Sequence, residues 1–499
     1  MSELTVVVLV AGAGTRMKSK TMKVLHPICG RSMVGHVLNA VAAMEPSRVV
    51  AVVGNQREQV GPHVQEILPD AILAVQEEQL GTGHAVRVAV DAAGVTEGTV
   101  VVAYGDTPLL EGESLRAFAA EHEAAQRAVS ILSGIAPDPF GYGRVVRDAD
   151  GDVVAIVEEK DATPEQREIT EINSGILALD AGFLVEALPK LRNDNAKGEY
   201  YLTDLVGLAR DAGLTVGAHV LDDVRQTEGA NDRVQLAELG RELNRRILRR
   251  WMRDGVTVVD PATTWVDADV VLAPDVTLLP GTQLLGATVV GEDAVVGPDT
   301  TLKDCEVGVG ARVVRTHGEL AVVGAGATVG PFSYLRPGTQ LGADGKIGAF
   351  VETKNAVIGD RAKVPHLSYV GDAEIGEGTN IGAGTIFANY DGVAKHRTTV
   401  GRHARTGSNN TFVAPVTIGD GAGTGGGTVV RQDVPPGALA VSSGAQRNIP
   451  DWAQTRRAGT PQAAAAEAAA KRTAGGGEES HNGDPGVGDV GQPGAESSS

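Results

Sequence analysis

Two cysteines in 499 residues, Cys29 and Cys305, are too few and too far apart for a disulfide framework, and they lack the paired spacing of a zinc site. Both are expected to be small buried hydrophobes rather than reactive thiols. Aromatic residues make up only 3% of the chain, so its cores must be filled mainly by small aliphatic side chains. Positive charge is also in deficit: 44 Lys and Arg stand against 63 Asp and Glu, a formal net charge of −19. That balance excludes a general nucleic-acid surface and attraction to anionic lipid, so an anionic substrate must be met by local cations. No apolar run approaches the length of a membrane span. The first residues, Met1 to Glu3 before the apolar Leu4 to Val10, have neither a basic leader nor a cleavage site. A soluble cytoplasmic protein is expected, with no membrane insertion and no nucleic-acid partner.

What the chain has in abundance is glycine, 65 residues, and a 42% hydrophobic content sufficient for two or three domains. From about Leu272 to Val430 an aliphatic residue returns every sixth position. Leu272, Leu278, Leu284, Val290, Val296 and Leu302 form one set, and Val323, Val329, Leu335, Leu341 and Ile347 a second. After slips come Ile358, Val364 and Val370, then Ile375, Ile381 and Phe387, then Val400, Thr406, Phe412, Ile418, Thr424 and Val430. This period is neither helical nor a strand alternation. It predicts a parallel β-helix of hexapeptide repeats, in which each side of a coil offers one inward aliphatic and a turn rich in Gly, Asp, Asn and Pro.

Upstream, apolar runs (Val6 to Val10, Val49 to Val53, Val100 to Tyr104, Ala128 to Leu132) alternate with helical patterns (Met33 to Met44, Leu115 to Gln126), which predicts an α/β domain with a mostly parallel sheet. Between the two regions, Leu236, Leu239, Leu243 and Ile247 recur at helical spacing. The expected organisation is an N-terminal domain over 1–228, a linker helix over 229–254, the solenoid over 255–452 and a disordered tail over 453–499, with a possible helical stretch at Ala463 to Lys471.

The first strand feeds Gly12-Ala13-Gly14-Thr15-Arg16-Met17. A strand, glycine turn and helix present backbone N–H groups to a phosphate, yet the loop lacks both the third glycine of a dinucleotide fingerprint and a Walker Gly-Lys-Ser/Thr. Arg16 and Lys23 are two cations that could neutralise a triphosphate, or simply surface charges beside a tight turn. Asp106 ends an apolar strand, where a carboxylate could hold Mg²⁺ on substrate phosphates or merely favour the turn. In the solenoid, Glu352, Lys354, His366, Tyr369, Asn380, Asn389, Tyr390, Asp391 and Lys395 interrupt the hexads between Phe350 and Lys395. A lone histidine or lysine there needs no function. Several polar groups within one short stretch of stacked coils point to a site.

Taken together, Val8 to Met17, Lys23-Val24-Leu25-His26, Gln79 to Ala85, Gly105 to Leu109, Gly141-Tyr142-Gly143-Arg144 and Gly198 to Asp204 resemble the bacterial bifunctional N-acetylglucosamine-1-phosphate uridylyltransferases/glucosamine-1-phosphate N-acetyltransferases. The resemblance extends to about Asn448. It implies a Rossmann-like nucleotidyltransferase domain followed by a left-handed parallel β-helix. Arg16 and Lys23 would bind the UTP phosphates beside Ala11, Gly12 and Gly14; Gln76, Gly81 and Thr82 would read uracil; Gly143, Glu158 and Asn173 would hold the sugar. Asp106 and Asn231 would hold Mg²⁺, with Asn231 also at the UDP-sugar site.

In the solenoid, Val351 to Lys354, His366 to Asp372, Asn380 to Gly384 and Asn389 to Gly392 carry the same resemblance. It implies that Arg336, Lys354, Tyr369, Asn380 and Lys395 bind glucosamine 1-phosphate, and that His366 is the general base. Attack on a thioester needs a neutral amine, which gives such a base its purpose. Glu352 would support the imidazolium. Acetyl-CoA would touch Ala383, Asn389, Tyr390, Ser408, Gly426 and Arg447, in a homotrimer whose subunits share the site. Three positions depart from the family: Val10 and Gly426 stand where it has Ala, and Met22 where it has Pro. Losing that proline is expected to loosen the aim of Lys23.

Two other readings of the chain remain in view. One is a single-activity sugar-1-phosphate nucleotidyltransferase whose repeats only regulate, as in ADP-glucose pyrophosphorylases. The other is a non-catalytic scaffold of the exchange-factor type.

Overall fold

The computed structural model describes residues 3–475 apart from 13, 55, 56, 196, 443 and 445. The chain divides into two units, residues 1–442 and 443–499.

In the N-terminal region, valine-rich strands buried on both faces form the middle of one sheet, as apolar runs without alternation require. The strand order is Val216–Leu221, Val129–Ile135, Glu171–Asp180, Thr99–Tyr104, Leu4–Leu9, Arg48–Val53 and Ile72–Val75. Leu4–Leu9 lies parallel between Arg48–Val53 and Thr99–Tyr104, while Glu171–Asp180 runs antiparallel to its neighbours. A hairpin of Gly143–Arg147 and Val153–Val157 extends the sheet beside Ile172 and Asn173. The carboxyl ends of the first and fourth parallel strands therefore open side by side, which is where ligands of open α/β sheets bind.

The helix Arg233–Arg253 is capped by Asp232, whose Oδ1 accepts from the N–H groups of Val234 and Gln235 at 2.9 Å. Its buried residues Leu239, Ile247 and Leu248 join Met17, Cys29, Met33 and the first solenoid coils in one core. Cys29 is buried, and loss of solvent pushes its thiol up to about 12, which leaves it a packing group.

From Thr257 the chain winds as a parallel β-helix. Val266, Leu284 and Leu302 stack one above the other, three hexads per coil. The hexad phase slips after Leu302 because the next coil is shorter: Leu302 pairs with Gly318, and Gly318 with Leu335. A Cβ on Gly318 would lie 2.9 Å from Leu302 Cδ2, so its aliphatic neighbours fill the slot. At the corners, buried threonine hydroxyls donate back to carbonyls three residues earlier, as Thr282 to Leu279, Thr339 to Arg336 and Thr385 to Gly382, each at 2.7 Å. Every predicted inward hexad residue named above is buried.

The second unit contains helices Trp452–Arg456 and Pro461–Gly475. The possible helical stretch expected at Ala463 to Lys471 lies within the second of these, where a run of alanines has high helix propensity and needs no buried partner. Residues 476–499 of the expected tail lie outside the described residues. Among the described residues, no helix is long and apolar enough to cross a membrane.

Candidate active sites

The first site is built on the loop after Leu4–Leu9. Gly14 has φ 57° and ψ 34°, and a Cβ there would lie 2.4 Å from Cβ of Lys23. Glycine is needed both for the left-handed turn and for the passage of Lys23 alongside it. The Lys23 ammonium is drawn into an ion pair with Asp106 and donates to Asn231 Oδ1 at 3.2 Å. Asn231 immediately precedes the cap of the linker helix, and the Ala230 N–H donates to the Asp106 carbonyl at 3.4 Å. One carboxylate oxygen and one amide oxygen thus converge on a cation at the sheet edge.

Two lobes meet there. One, of about 520 Å³, is lined by Ala11, Gly12, Lys23, Gln76 and Gly81; the other, of about 550 Å³, by Gly143, Glu158, Asn173 and Asn231. Arg16, Thr82, Tyr104, Asp106, Lys197 and Glu199 line both. In the first lobe Gln76 is buried, its amide nitrogen donating to the Gly81 carbonyl at 3.2 Å with His84 Nδ1 at 3.1 Å. Gly81, at φ 108°, leaves no space for a Cβ beside the Tyr200 backbone. The Thr82 hydroxyl accepts from the Leu202 N–H at 3.1 Å, so the Gly198 to Asp204 motif is what clamps the Gln79 to Ala85 loop.

In the second lobe Asn173 pairs with Gly143, and a Cβ on Gly143 would stand 3.5 Å from Glu158 Oε1. Burial raises the Glu158 carboxyl, with Lys197 pulling the other way. Tyr104, half-buried in the same wall, is raised by loss of solvent and further by the carboxylates of Glu158 and Asp106. Tyr104, Lys197, Glu199, Tyr201 and Thr203 line this lobe and were not singled out from sequence. Tyr104 ends a strand directly before Asp106, and the others cluster in one motif; those were the available signals.

Met22 has φ −58° and ψ 143°, the backbone a proline would impose, so Lys23 leaves Met22 with the same geometry. Burial of the Met22 side chain, with Val10, Val24 and Val34, also packs the segment in place. Val10 in turn fills the space above Gly105, where a Cβ would approach its Cγ1 to 2.4 Å.

The second site lies on one side and one corner of the solenoid. Glu352 pairs with Tyr369, and Tyr369 with Ile386, which stacks these coils in register. Lys354 stands beside Gly371 in the same ladder. The Tyr369 hydroxyl lies over Gly371, where a Cβ would sit 2.3 Å from it, and receives a bond from Asn389 Nδ2 at 3.4 Å. Asn389 Nδ2 also donates to Asp372 Oδ2, and Asp372 Oδ1 accepts from Asn355 Nδ2 at 2.8 Å. Lys395 comes from a loop held by Asp391, which accepts from the N–H groups of Val393 and Ala394 at 2.7 Å and pairs with His396. Tyr390, exposed at the loop's base, bridges to Lys395. Lys395 faces Lys354, and its proximity lowers the Lys354 pKa.

Arg336 Nη1 donates to Glu352 Oε1 at 2.8 Å. Glu352 therefore aligns Arg336 from the coil above. His366 ends the strand Lys363–His366 at the adjoining corner, with an exposed side chain. Directly above it runs a column of backbone bonds: Gly384 N–H to His366 carbonyl, 3.2 Å; Asn409 N–H to Ala383 carbonyl, 2.7 Å; Gly427 N–H to Ser408 carbonyl, 2.8 Å. Ala383, Ser408 and Gly426 thus share the His366 corner, while Asn389 lies with Tyr369 and Asp372. Asn380 bridges Lys363 and Arg405 on the His366 side. Arg447 belongs to the second unit. Asp372, quoted in a motif but given no role there, is the residue that the geometry adds.

A family model for the MobA-like NTP transferase domain matches residues 6–155. Among curated proteins, the chain is 56% identical to "Bifunctional protein GlmU" of Corynebacterium efficiens over 468 residues, covering 93% of this chain and 96% of that protein. It is 58% identical to the protein of that name from Mycolicibacterium gilvum over 470 residues, covering 93% and 94%. For that of Streptomyces avermitilis the figures are 59% over 462 residues, covering 92% and 96%.

Proposed function

The chain belongs to the family of bifunctional GlmU proteins, and from that premise we infer which of its two sites performs each of the transfers that make UDP-N-acetylglucosamine. It is a transferase with both activities: acetyl transfer from acetyl-CoA to glucosamine 1-phosphate, and uridylyl transfer from UTP to N-acetylglucosamine 1-phosphate with release of pyrophosphate. The product feeds cell-wall synthesis. The observation that favours an acetyltransferase solenoid over a regulatory one is the convergence of Arg336, Lys354 and Lys395 on one side of the coil, next to the exposed His366. A regulatory rod gives no reason to hold two ammoniums in contact.

In the solenoid site the three cations take the phosphate of glucosamine 1-phosphate, and Tyr369 and Asn380 bound its sugar. His366 takes a proton from the amine, leaving the nitrogen lone pair free to attack the thioester carbonyl as coenzyme A departs. The corner column of Ala383, Ser408 and Gly426, with Asn389 and Tyr390, receives acetyl-CoA. A Cβ on Gly426 would meet only the Ser408 carbonyl, at 3.7 Å, so the alanine of the family fits here as well.

In the N-terminal site, Gln76, Gly81 and Thr82 bind uracil. Gly143, Glu158 and Asn173 hold the acetylated sugar, so that its phosphate faces the nucleotide across Asp106. Arg16 and Lys23 neutralise the UTP phosphates as a sugar-phosphate oxygen attacks the α-phosphorus and the bond from it to the leaving pyrophosphate breaks. The donor set fits Mg²⁺: Asp106 and Asn231 already present two oxygens to a cation, the Lys23 ammonium, and Mg²⁺ commonly takes one or two protein oxygens with the rest from phosphate and water. Bound there, the ion would offset phosphate charge and polarise the phosphorus–oxygen bonds.

The expected homotrimer also has a physical basis. Phe332, Phe350 and Leu367 are 53%, 59% and 61% exposed with φ of 59°, 57° and 50°, a costly backbone for bulky residues. They form an apolar ridge beside His366 that a neighbouring copy would cover. The functional test is sequential. Purified protein given glucosamine 1-phosphate and acetyl-CoA should release free thiol, and adding UTP with Mg²⁺ should then release pyrophosphate; a missing first step favours the regulatory solenoid.

A further inference from the structure

Within the acceptor site just assigned, one group has the wrong charge for a phosphate pocket. Asp372 faces Lys354 and Lys395, with Glu352 already committed to Arg336. Its two carboxylate oxygens are both used: Oδ1 accepts from Asn355 Nδ2 at 2.8 Å and Oδ2 from Asn389 Nδ2. A carboxylate only accepts, so it fixes the Asn389 amide with its nitrogen toward Asp372 and the Tyr369 hydroxyl, and leaves the amide oxygen for another donor. The same carboxylate faces Lys354 and Lys395, whose close approach like charges oppose.

We propose that Asp372 is a positioning residue of the acetyl-acceptor site: it orients Asn389 and counterbalances the Lys354–Lys395 pair, so that both lysines stand converged before the substrate phosphate arrives. The proposal rests on the assignment of that site to glucosamine 1-phosphate. Asp372 acts on the substrate through its neighbours, and its weak repulsion of phosphate is screened by the two intervening cations and by water. A charge-assisted bond to a buried amide outweighs that repulsion.

The variant Asp372→Asn separates these roles from folding. Asp372 has φ 49°, a conformation that asparagine tolerates well, and the side chain keeps its shape. Asparagine has one acceptor oxygen for two donors, so one of Asn355 and Asn389 must let go. The expected result is a rise of about tenfold in KM for glucosamine 1-phosphate with a change in kcat of less than about threefold. The uridylyl half-reaction should be unchanged.

The pH profile supplies a reading that a packing role would not move. Asp372 raises the Lys354 pKa against Lys395 and Arg336, so its removal lets the ammonium lose its proton at lower pH. The alkaline limb of kcat/KM for glucosamine 1-phosphate should therefore shift to lower pH. In a Lys354→Met background, adding Asp372→Asn should cost markedly less than it does alone. An unmoved limb with full additivity overturns the proposal. If Lys354→Met alone leaves KM for glucosamine 1-phosphate unchanged, the assignment of the site itself fails, and that outcome is distinct from failure of the role of Asp372.

Discussion

Gly14→Ala tests whether the glycine loop exists to aim Lys23. The added Cβ meets two costs in the structure. Gly14 lies at φ 57°, where any residue with a Cβ pays about 1 to 2 kcal/mol. In addition, the new carbon would stand 2.4 Å from Cβ of Lys23 and 3.3 Å from its Cγ, so the stem of the lysine must move. Gly94 provides the control: it closes a helix at φ 60° with nothing within 4 Å of its missing Cβ, so Gly94→Ala pays the backbone cost alone. Gly94→Ala should lose on the order of 1 kcal/mol and Gly14→Ala at least as much, read from thermal unfolding. Only Gly14→Ala should lower kcat/KM for UTP in a pyrophosphate-release assay. The loss should be about 100-fold, because a displacement near 1 Å of a charge-bearing group is enough for that. Acetyl transfer by the same preparation serves as the internal standard. Equal uridylyl activity in the two glycine variants would refute the claim that Gly14 is there for Lys23.

Met22→Pro should leave UTP kinetics unchanged, since φ is already −58°, yet lower the thermal midpoint. The buried thioether is worth about 1.5 to 3 kcal/mol, against about 0.4 to 1 kcal/mol gained from a stiffer unfolded chain. Gly426→Ala should raise stability by about 0.4 to 1 kcal/mol, because nothing opposes its Cβ more closely than 3.7 Å; calorimetry compares it with the parent. Glu242, buried among Arg225, Arg245 and Arg246, has its carboxyl lowered to about 2 by hydrogen bonds from Arg245 and then Arg246. Its folded pKa lies below the unfolded value, so its stabilisation is present above about pH 4.5 and is lost as pH falls toward 2. Unfolding followed across that window should show the loss, and Glu242→Gln should flatten it.

The solenoid was legible because a coil of three hexads repeats its demands: each inward side chain has the same neighbours above and below, so Leu284 and Leu302 reveal Val266. The N-terminal sheet was legible for the simpler reason that parallel strands buried on both faces are continuous apolar runs. Sites were legible in their residues and not in their partnerships. Arg336 and Glu352 are one coil apart in space but 16 residues apart in sequence, and nothing in their spacing says that they pair with each other. Asp372 and Asn389 illustrate the same limit, being joined only when the Asn389 to His396 loop leaves the coil and returns. The packing of Met22 was not legible, because a proline's role is read through its backbone alone and burial of the methionine has no local sequence signal. The alanine-rich helix at Pro461–Gly475 was underestimated for the opposite reason, since propensity sufficed there without a buried face.

The central claim is that one chain carries two chemically independent sites. It is tested most directly by assaying His366→Ala and Asp106→Asn for both half-reactions, each with its own substrate supplied. The account predicts that His366→Ala abolishes thiol release and keeps pyrophosphate release, and that Asp106→Asn does the reverse. Acetyl transfer at the parent rate in His366→Ala, or loss of both activities in either variant, would contradict it.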